Sequence, residues 1–283
     1  MTVARIATDL GRLHVQIQGA GPPVMLWHSL FLDSRSWCGL AEGLAGDRMV
    51  VAVDGPSHGR SEPITRDFTF ADCVTAAEQV LDHLEVTAPV DWVGNAWGGH
   101  VGVQFALRRP DRVRTLTTIG TPAHPLRPQE RWTKAWPLVQ MYRLAGPNAL
   151  LMKPLSKALV GAETIAAVPD LAATVMSAFT EAHRAAMFHA IRSVMLNRPG
   201  MAADMGRLSI PTLLIAARDD ITGWQPADAR KVADTMADAT VVGAAGSGHS
   251  SPLLIARDEV TAAVREFWGR DAVDPPGPTP CTP

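Results

Sequence analysis

Basic charge, cysteine and long apolar runs are all scarce in this 283-residue chain, and each scarcity closes off a class of function. Lys and Arg number 26 against 28 Asp and Glu, for a formal net charge of −2. A nucleic-acid partner is therefore not expected, since such a partner calls for a basic patch. Three cysteines (Cys38, Cys73 and Cys281) are too few for a disulfide framework and show no metal-ligand spacing. The nine histidines contain no H-E-x-x-H pair. Neither a metal nor another cofactor is expected. No apolar run approaches the roughly 20 residues that cross a bilayer, so no membrane partner is expected. No basic segment followed by an apolar stretch opens the chain, so the expected location is cytoplasmic. Oligomeric state leaves no signal.

What is present reads as an ordinary globular balance, with 47% hydrophobic and 19% charged residues. The length suits one large α/β domain with an insertion, or two small domains. Leu13 to Gln18 is an expected edge strand, closed by Gly19-Ala20-Gly21-Pro22-Pro23. Val24 to His28 and Met49 to Asp54 are continuous apolar runs, as strands covered on both faces require. A short helix is expected over Ser36 to Ala45. Thr69 with Asp72 resembles a capping box, after which Phe70, Val74, Ala77, Leu81 and Leu84 share one helical face. A strand from Val90 to Gly94, a helix from Trp97 to about Arg109 and a strand from Val113 to Ile119 follow. Strands alternating with helices imply a mainly parallel sheet wrapped on both sides.

From about Thr121 to Arg207 the periodicity is helical throughout, with Phe179, His183, Met187, Ala190, Ile191 and Val194 on one face. Seven of the 11 methionines lie there, together with Trp132, Trp136 and the chain's only tyrosine, Tyr142. Such residues suit either a pliable apolar lining for a small hydrophobic ligand or an ordinary helix–helix core. Trp132, Trp136 and Tyr142 are the candidate substrate-binding residues of this stretch. Alternation resumes at Pro211 to Ala217, with a helix near Pro226 to Met236, a strand at Thr240 to Gly243 and a helix from Ser251 to Trp268. The tail beyond is too proline-rich to fold alone.

One segment carries most of the chemistry. Val90 to His100 reads as a strand, a tight turn and a helix, with Gly94-Asn95-Ala96-Trp97-Gly98 at the turn. That is the setting of a G-x-S-x-G nucleophile elbow, in which glycines let the chain bend sharply enough to expose one side chain. Here the exposed side chain is a methyl group.

This order of elements, over about Leu13 to Trp268, resembles the α/β-hydrolase superfamily and within it the small capped esterases, lactonases, C–C hydrolases, epoxide hydrolases and dehalogenases. The resemblance implies an α/β fold with a mainly parallel, eight-stranded sheet, helices on both faces and an inserted helical cap. Core would then be residues 1–120 and 208–269, cap 121–207, and disordered tail 270–283. His28-Ser29-Leu30-Phe31 stands where the family has His-Gly-x, with Ser29 departing from glycine. Carried over, the oxyanion-hole donors are the backbone N–H groups of Leu30 and Trp97, and Phe31 is a further candidate for substrate contact. Asp54 to Ser61 resembles the family's D-x-P-G-H-G-x-S loop with Ser57 for a glycine, which makes His58 a loop brace. Asp220, with Asp219 as understudy, takes the acid's place, and His249 the base's, in the order nucleophile, acid, histidine.

Ala96 thus occupies the position that is serine in esterases and aspartate in the dehalogenase and epoxide branches. A methyl group forms no covalent intermediate. Alanine is either a replacement introduced into an otherwise ordinary hydrolase or the chain's own residue. Three readings follow. The first is a hydrolase of a small hydrophobic ester, lactone or C–C substrate. The second is a non-hydrolytic His–Asp general-base enzyme of the decarboxylase, lyase or cofactor-free oxygenase kind. The third is a ligand-binding pseudo-hydrolase.

Overall fold

The structure, a computed structural model, describes residues 1–270. Its centre is one eight-stranded sheet in the order β1-β2-β4-β3-β5-β6-β7-β8. The strands are β1 (Thr2–Thr8), β2 (Gly11–Gln18), β3 (Pro23–Trp27), β4 (Met49–Val53), β5 (Val90–Asn95), β6 (Val113–Ile119), β7 (Thr212–Ala217) and β8 (Ala239–Ala244). β1 pairs antiparallel with β2, and β2 with β4. The strands from β3 to β8 are parallel to one another.

The apolar runs of β3, β4 and β5 are explained by the twofold repeat of a strand, which sends successive side chains to opposite faces. Met25, Trp27, Val51, Val53 and Trp92 join one core, and Val24, Leu26, Val50, Ala52 and Val93 join the other. Helices Phe70–His83 and Trp97–Arg108 cover the first face through residues such as Val74, Leu81, Val101 and Phe105. Helices Leu40–Leu44 and Arg257–Arg270 cover the second through Leu40, Leu44, Val260 and Val264.

Several elements differ from the sequence reading. β1 was not expected, because a strand at the sheet margin with Ile6 as its buried residue offers no alternating apolar pattern. Its hairpin with β2 is closed by the Thr8 hydroxyl, which donates to the Gly11 carbonyl at 2.7 Å. The helix expected over Ser36 to Ala45 is split into a 3-10 turn, Ser34–Trp37, and a short helix from Leu40. Gly39 at φ 79° breaks it, since positive φ is incompatible with a continuing right-handed helix. The face assigned to Phe179 through Val194 is likewise interrupted. One helix ends at Glu181, and His183 caps the next, accepting the Ala186 N–H at 3.3 Å. The Thr69–Asp72 capping box is present, with reciprocal bonds of 2.7 and 3.1 Å.

Between β6 and β7 every regular element is helical, running from Pro128–Glu130 to Ala202–Met205 and including two π-turns, Arg131–Ala135 and Arg192–Leu196. The stretch returns to the sheet beside its own exit, where the Met201 and Ala202 N–H groups both donate to the Ala123 carbonyl, at 2.7 and 3.1 Å. No helix among the described residues is long and apolar enough to cross a membrane. Of the tail assigned to 270–283, Arg270 closes the last helix and the remainder lies outside the described residues.

Buried at the start of β5, Asp91 accepts Arg114 through both carboxylate oxygens and the Thr115 hydroxyl at 2.6 Å, with Arg48 3.6 Å away. Removing one partner of such a cluster strands the others. Asp91→Ala is expected to cost about 3 kcal/mol, the low end of the usual range because Arg114 keeps part of its guanidinium in solvent. Thr69→Ala, which deletes one exposed cap, should cost about 1 kcal/mol. Urea titrations of the two variants check the ranking, and equal losses would contradict it.

Candidate active site

β5 ends at Asn95 and the next helix begins at Trp97, leaving Ala96 at the corner with φ 47° and ψ −102°. A residue other than glycine held there costs on the order of 1–3 kcal/mol. The cause is how closely the helix lies on the sheet. A Cβ on Gly98 would stand 1.7 Å from the Trp27 carbonyl oxygen, and one on Gly94 would stand 2.3 Å from the Gly98 carbonyl carbon. Only glycines allow this approach. Ala96 is held from both sides, its N–H donating to the Ile119 carbonyl (2.9 Å) and its carbonyl accepting the His100 N–H (3.1 Å). Its methyl group borders a cavity of about 310 Å³ whose walls are mostly apolar.

Asn95 ties the corner to the loop carrying His249. Its side-chain N–H groups donate to the carbonyls of Ile119 (2.9 Å) and His249 (3.1 Å), and its oxygen accepts the Ser250 hydroxyl (2.7 Å). Asn95 is fully buried, so these bonds serve both donors and the acceptor where no water reaches. The same loop is tied to the helical insertion, with His249 and Ser250 N–H groups donating to Ala158 (3.2 Å) and Leu159 (2.8 Å).

His249 lines the cavity, and its Nδ1 lies 3.0 Å from Asp220 Oδ2. The other carboxylate oxygen accepts the Thr222 N–H at 2.7 Å and the Thr222 hydroxyl at 2.5 Å. Burial works to raise the Asp220 pKa, but the neighbouring His249 and these hydrogen bonds outweigh it and hold the carboxyl below its usual value. An ionised Asp220 keeps the His249 proton on Nδ1, which leaves Nε2 as the basic nitrogen. Asp219, the understudy, is exposed and takes no part.

Leu30 and Trp97 both line the cavity. The Trp97 N–H opens its helix and so has no intrahelical acceptor. Two buried histidines brace the Leu30 loop, and their partners settle their tautomers. His28 accepts the Gly55 N–H on Nε2 (2.8 Å) and so donates from Nδ1 to the Ser29 carbonyl (2.8 Å). His58 accepts the Phe31 N–H on Nε2 (3.4 Å) and donates from Nδ1 to the Pro56 carbonyl (2.8 Å). Burial pulls their pKa values down to about 4 and about 3, so both rings stand neutral. Ser57, in the place of a family glycine, sits at φ 68°, and its hydroxyl accepts the Ile64 N–H at 3.0 Å.

Of the residues named from sequence, the structure brings together Ala96, Asp220, His249, Leu30, Trp97 and Phe31, with Asp220 behind His249 and the rest on the cavity wall. Trp132, Trp136 and Tyr142 are not on that wall. Trp132 and Trp136 are 64% and 46% exposed and border a separate cleft with Arg143 and Arg192. Tyr142 is buried but stacks on Phe179, which in turn meets Phe31, so two rings stand between it and the cavity. Periodicity shows which residues share a helical face, but not what that face meets. Of the seven methionines, Met195 borders the cavity, Met187, Met201 and Met205 are fully buried, and Met141 is exposed.

Sequence reasoning missed Thr222, Asn95, His100 and Arg198. Thr222 had a signal, because an Asp commonly bonds the backbone two residues on. His100 had one too, lying one helical turn beyond Ala96 on the same face. Its Nε2 donates to the Pro122 carbonyl at 2.8 Å, and burial pulls its pKa down to about 3. Nothing in the sequence marks Arg198.

Comparison with known proteins agrees with this fold. Residues 22–156 match the family model described as alpha/beta hydrolase fold. A 2-hydroxymuconate semialdehyde hydrolase from Pseudomonas sp. (strain CF600) is 34% identical over 39% of this chain, which spans about two fifths (40%) of that relative's length. In structure the chain is similar to a thermophilic esterase from Thermogutta terrifontis (TM-score 0.85, 24% identity, 97% of this chain and 100% of that one). It is also similar to an enol-lactonase from Burkholderia xenovorans LB400 (TM-score 0.83, 23% identity, 95% and 100%). At such identities the structural likeness speaks for the fold.

His28, His58 and His100 are neutral when folded, with pKa values of about 4, 3 and 3, and ordinary when unfolded, at 6.5. As pH falls below 6.5 the unfolded chain takes up protons that the folded one refuses, so stability drops on the acid side and levels off near pH 3. Three such groups give a slope of up to about 4 kcal/mol per pH unit around pH 5. Urea midpoints measured from pH 7 to pH 4 should fall steeply, and a flat profile would contradict the buried neutral assignment.

Proposed function

We propose that this chain, whose residues 22–156 match the alpha/beta hydrolase fold, is a member of the α/β-hydrolase superfamily whose cavity takes a small, largely apolar ester, lactone or C–C substrate on a hydrolase scaffold that lacks its covalent step. The observation that carries this reading is the corner at residue 96. A bend at φ 47° and ψ −102° is costly, and its use is to present one side chain to a cavity. Alanine keeps the bend and lacks the attacking atom. Names borne by similar proteins, hydrolase, esterase and enol-lactonase, point to the same chemistry.

In this reading His249 is the general base and Asp220 its orienting acid, as their 3.0 Å contact allows. With a hydroxyl at residue 96, Nε2 would take the hydroxyl proton as the oxygen attacks a carbonyl carbon. The oxygen of that carbonyl would gather charge beside the Leu30 and Trp97 N–H groups, which are in place beforehand and need not reorganise. With a methyl there, the same imidazole acts on a bound water or on an acidic proton of the ligand, without an acyl-enzyme. The helical insertion serves as a cap, contributing Leu138, Leu155 and Val194 to the wall and limiting water.

Supplying the atom tests the proposal. Ala96→Ser should raise hydrolysis of p-nitrophenyl butyrate by about 10³-fold or more, since removing such a nucleophile from serine enzymes costs on the order of 10⁶. Adding His249→Ala to that variant should return the rate to its starting value. A folded Ala96→Ser protein with no gain would overturn the reading.

A further inference from the structure

We propose that Arg198 forms an anion subsite in the Ala96 cavity, so that the ligand this cavity takes carries a carboxylate on an otherwise apolar body. The inference rests on the reading of this cavity as the substrate site and narrows its substrate class.

Arg198 follows the π-turn Arg192–Leu196 and lines the cavity with Val194 and Met195. A guanidinium has five N–H donors. Here Nη2 donates to the His124 carbonyl at 3.2 Å, while Nε is buried without any hydrogen-bond partner. Among the described residues no carboxylate lies within salt-bridge distance of Arg198, whereas Arg192, six residues earlier, pairs with Asp67 at 2.9 Å. The acid whose charge reaches Arg198 most, Glu130, is engaged by Lys134 at 3.3 Å. Desolvation pulls the Arg198 pKa down, the mark of a cation held away from water. A cation largely removed from water without a counter-ion is costly, and the negative charge of a ligand would supply the missing partner.

The surroundings favour a carboxylate. None of the cavity's lining residues is acidic, and Asp220 stands behind His249 with both oxygens taken. His100, near Arg198, is neutral, so it adds no competing positive charge. The arginine is also firmly placed. Its carbonyl acceptor, His124, adjoins Ala123, whose carbonyl takes the N–H groups of both Met201 and Ala202. The planar fork of a guanidinium matches a carboxylate's two oxygens, where a lysine would offer only a point charge. Apolar walls around that one cation describe a ligand that is greasy along its length and anionic at one point.

Binding, unlike turnover, can be read in the chain as it stands. Phenylacetate, 4-phenylbutyrate and octanoate would be titrated against their neutral amides by calorimetry, with the unmodified protein, Arg198→Gln and Arg198→Lys. At least one acid should bind about tenfold or more tightly than its amide. Arg198→Gln should erase that preference while leaving the amide's affinity within about twofold, and Arg198→Lys should keep part of it. Equal binding of acids and amides, no binding by any acid, or a preference that survives Arg198→Gln would each overturn the proposal. If Arg198→Gln does not fold, the acid-to-amide ratio in the unmodified protein still decides. Ester hydrolysis by Ala96→Ser is a separate readout. Carboxylate preference without gained hydrolysis leaves the anion subsite standing and removes the hydrolase reading, and the reverse result does the opposite.

Discussion

The helix Trp97–Arg108 lies so close to the end of β3 that residue 98 has no room for a Cβ, and the geometry of the site descends from that contact. To reach it, the chain leaving β5 must turn within one residue, which drives Ala96 into a strained conformation and sets the helix N-terminus against the cavity. Asn95 then spreads the constraint sideways. One buried amide binds the corner, the end of β6 and the His249 loop, so these cannot drift apart without stranding polar groups in a dry interior.

Charge is distributed around this corner with economy. The two imidazoles behind the Leu30 loop are neutral struts, each accepting a backbone N–H on one nitrogen and donating to a carbonyl from the other. His249 differs because a depressed carboxyl stands at its Nδ1, the arrangement that suits a base. Arg198 differs again, as a cation whose protein partners leave it incompletely satisfied. Three environments thus give buried basic groups three uses: bracing, proton transfer as proposed, and ligand recognition as proposed.

The helical insertion shows what burial alone leaves undetermined. Its helices present mixed faces, and the residues that reach the cavity include leucines such as Leu138 and Leu155 rather than the aromatic residues that stand out in the sequence. Trp132 and Trp136, one turn apart, point together to a different cleft, while Tyr142 is spent on packing against Phe179. Large aromatic side chains are as useful to a core as to a pocket, so their identity does not assign them to either.

The sequence by itself determined the parallel sheet, because runs such as Val24–Trp27 and Met49–Val53 are apolar at every position and must be covered twice. It also determined the corner, because glycines at 94 and 98 around a strand–helix junction leave few other backbones, while the family resemblance pointed to Asp220 and His249, which the fold places 3.0 Å apart. Strand β1 was hidden, since an exposed sheet margin imposes no pattern. Which insertion residues face Ala96, that Asn95 joins three segments, and that Arg198 stands beside the same cavity were decided only by tertiary structure. Those facts depend on how distant segments pack, and packing between residues about 100 positions apart, as with Ala96 and Arg198, leaves no period or spacing in the chain.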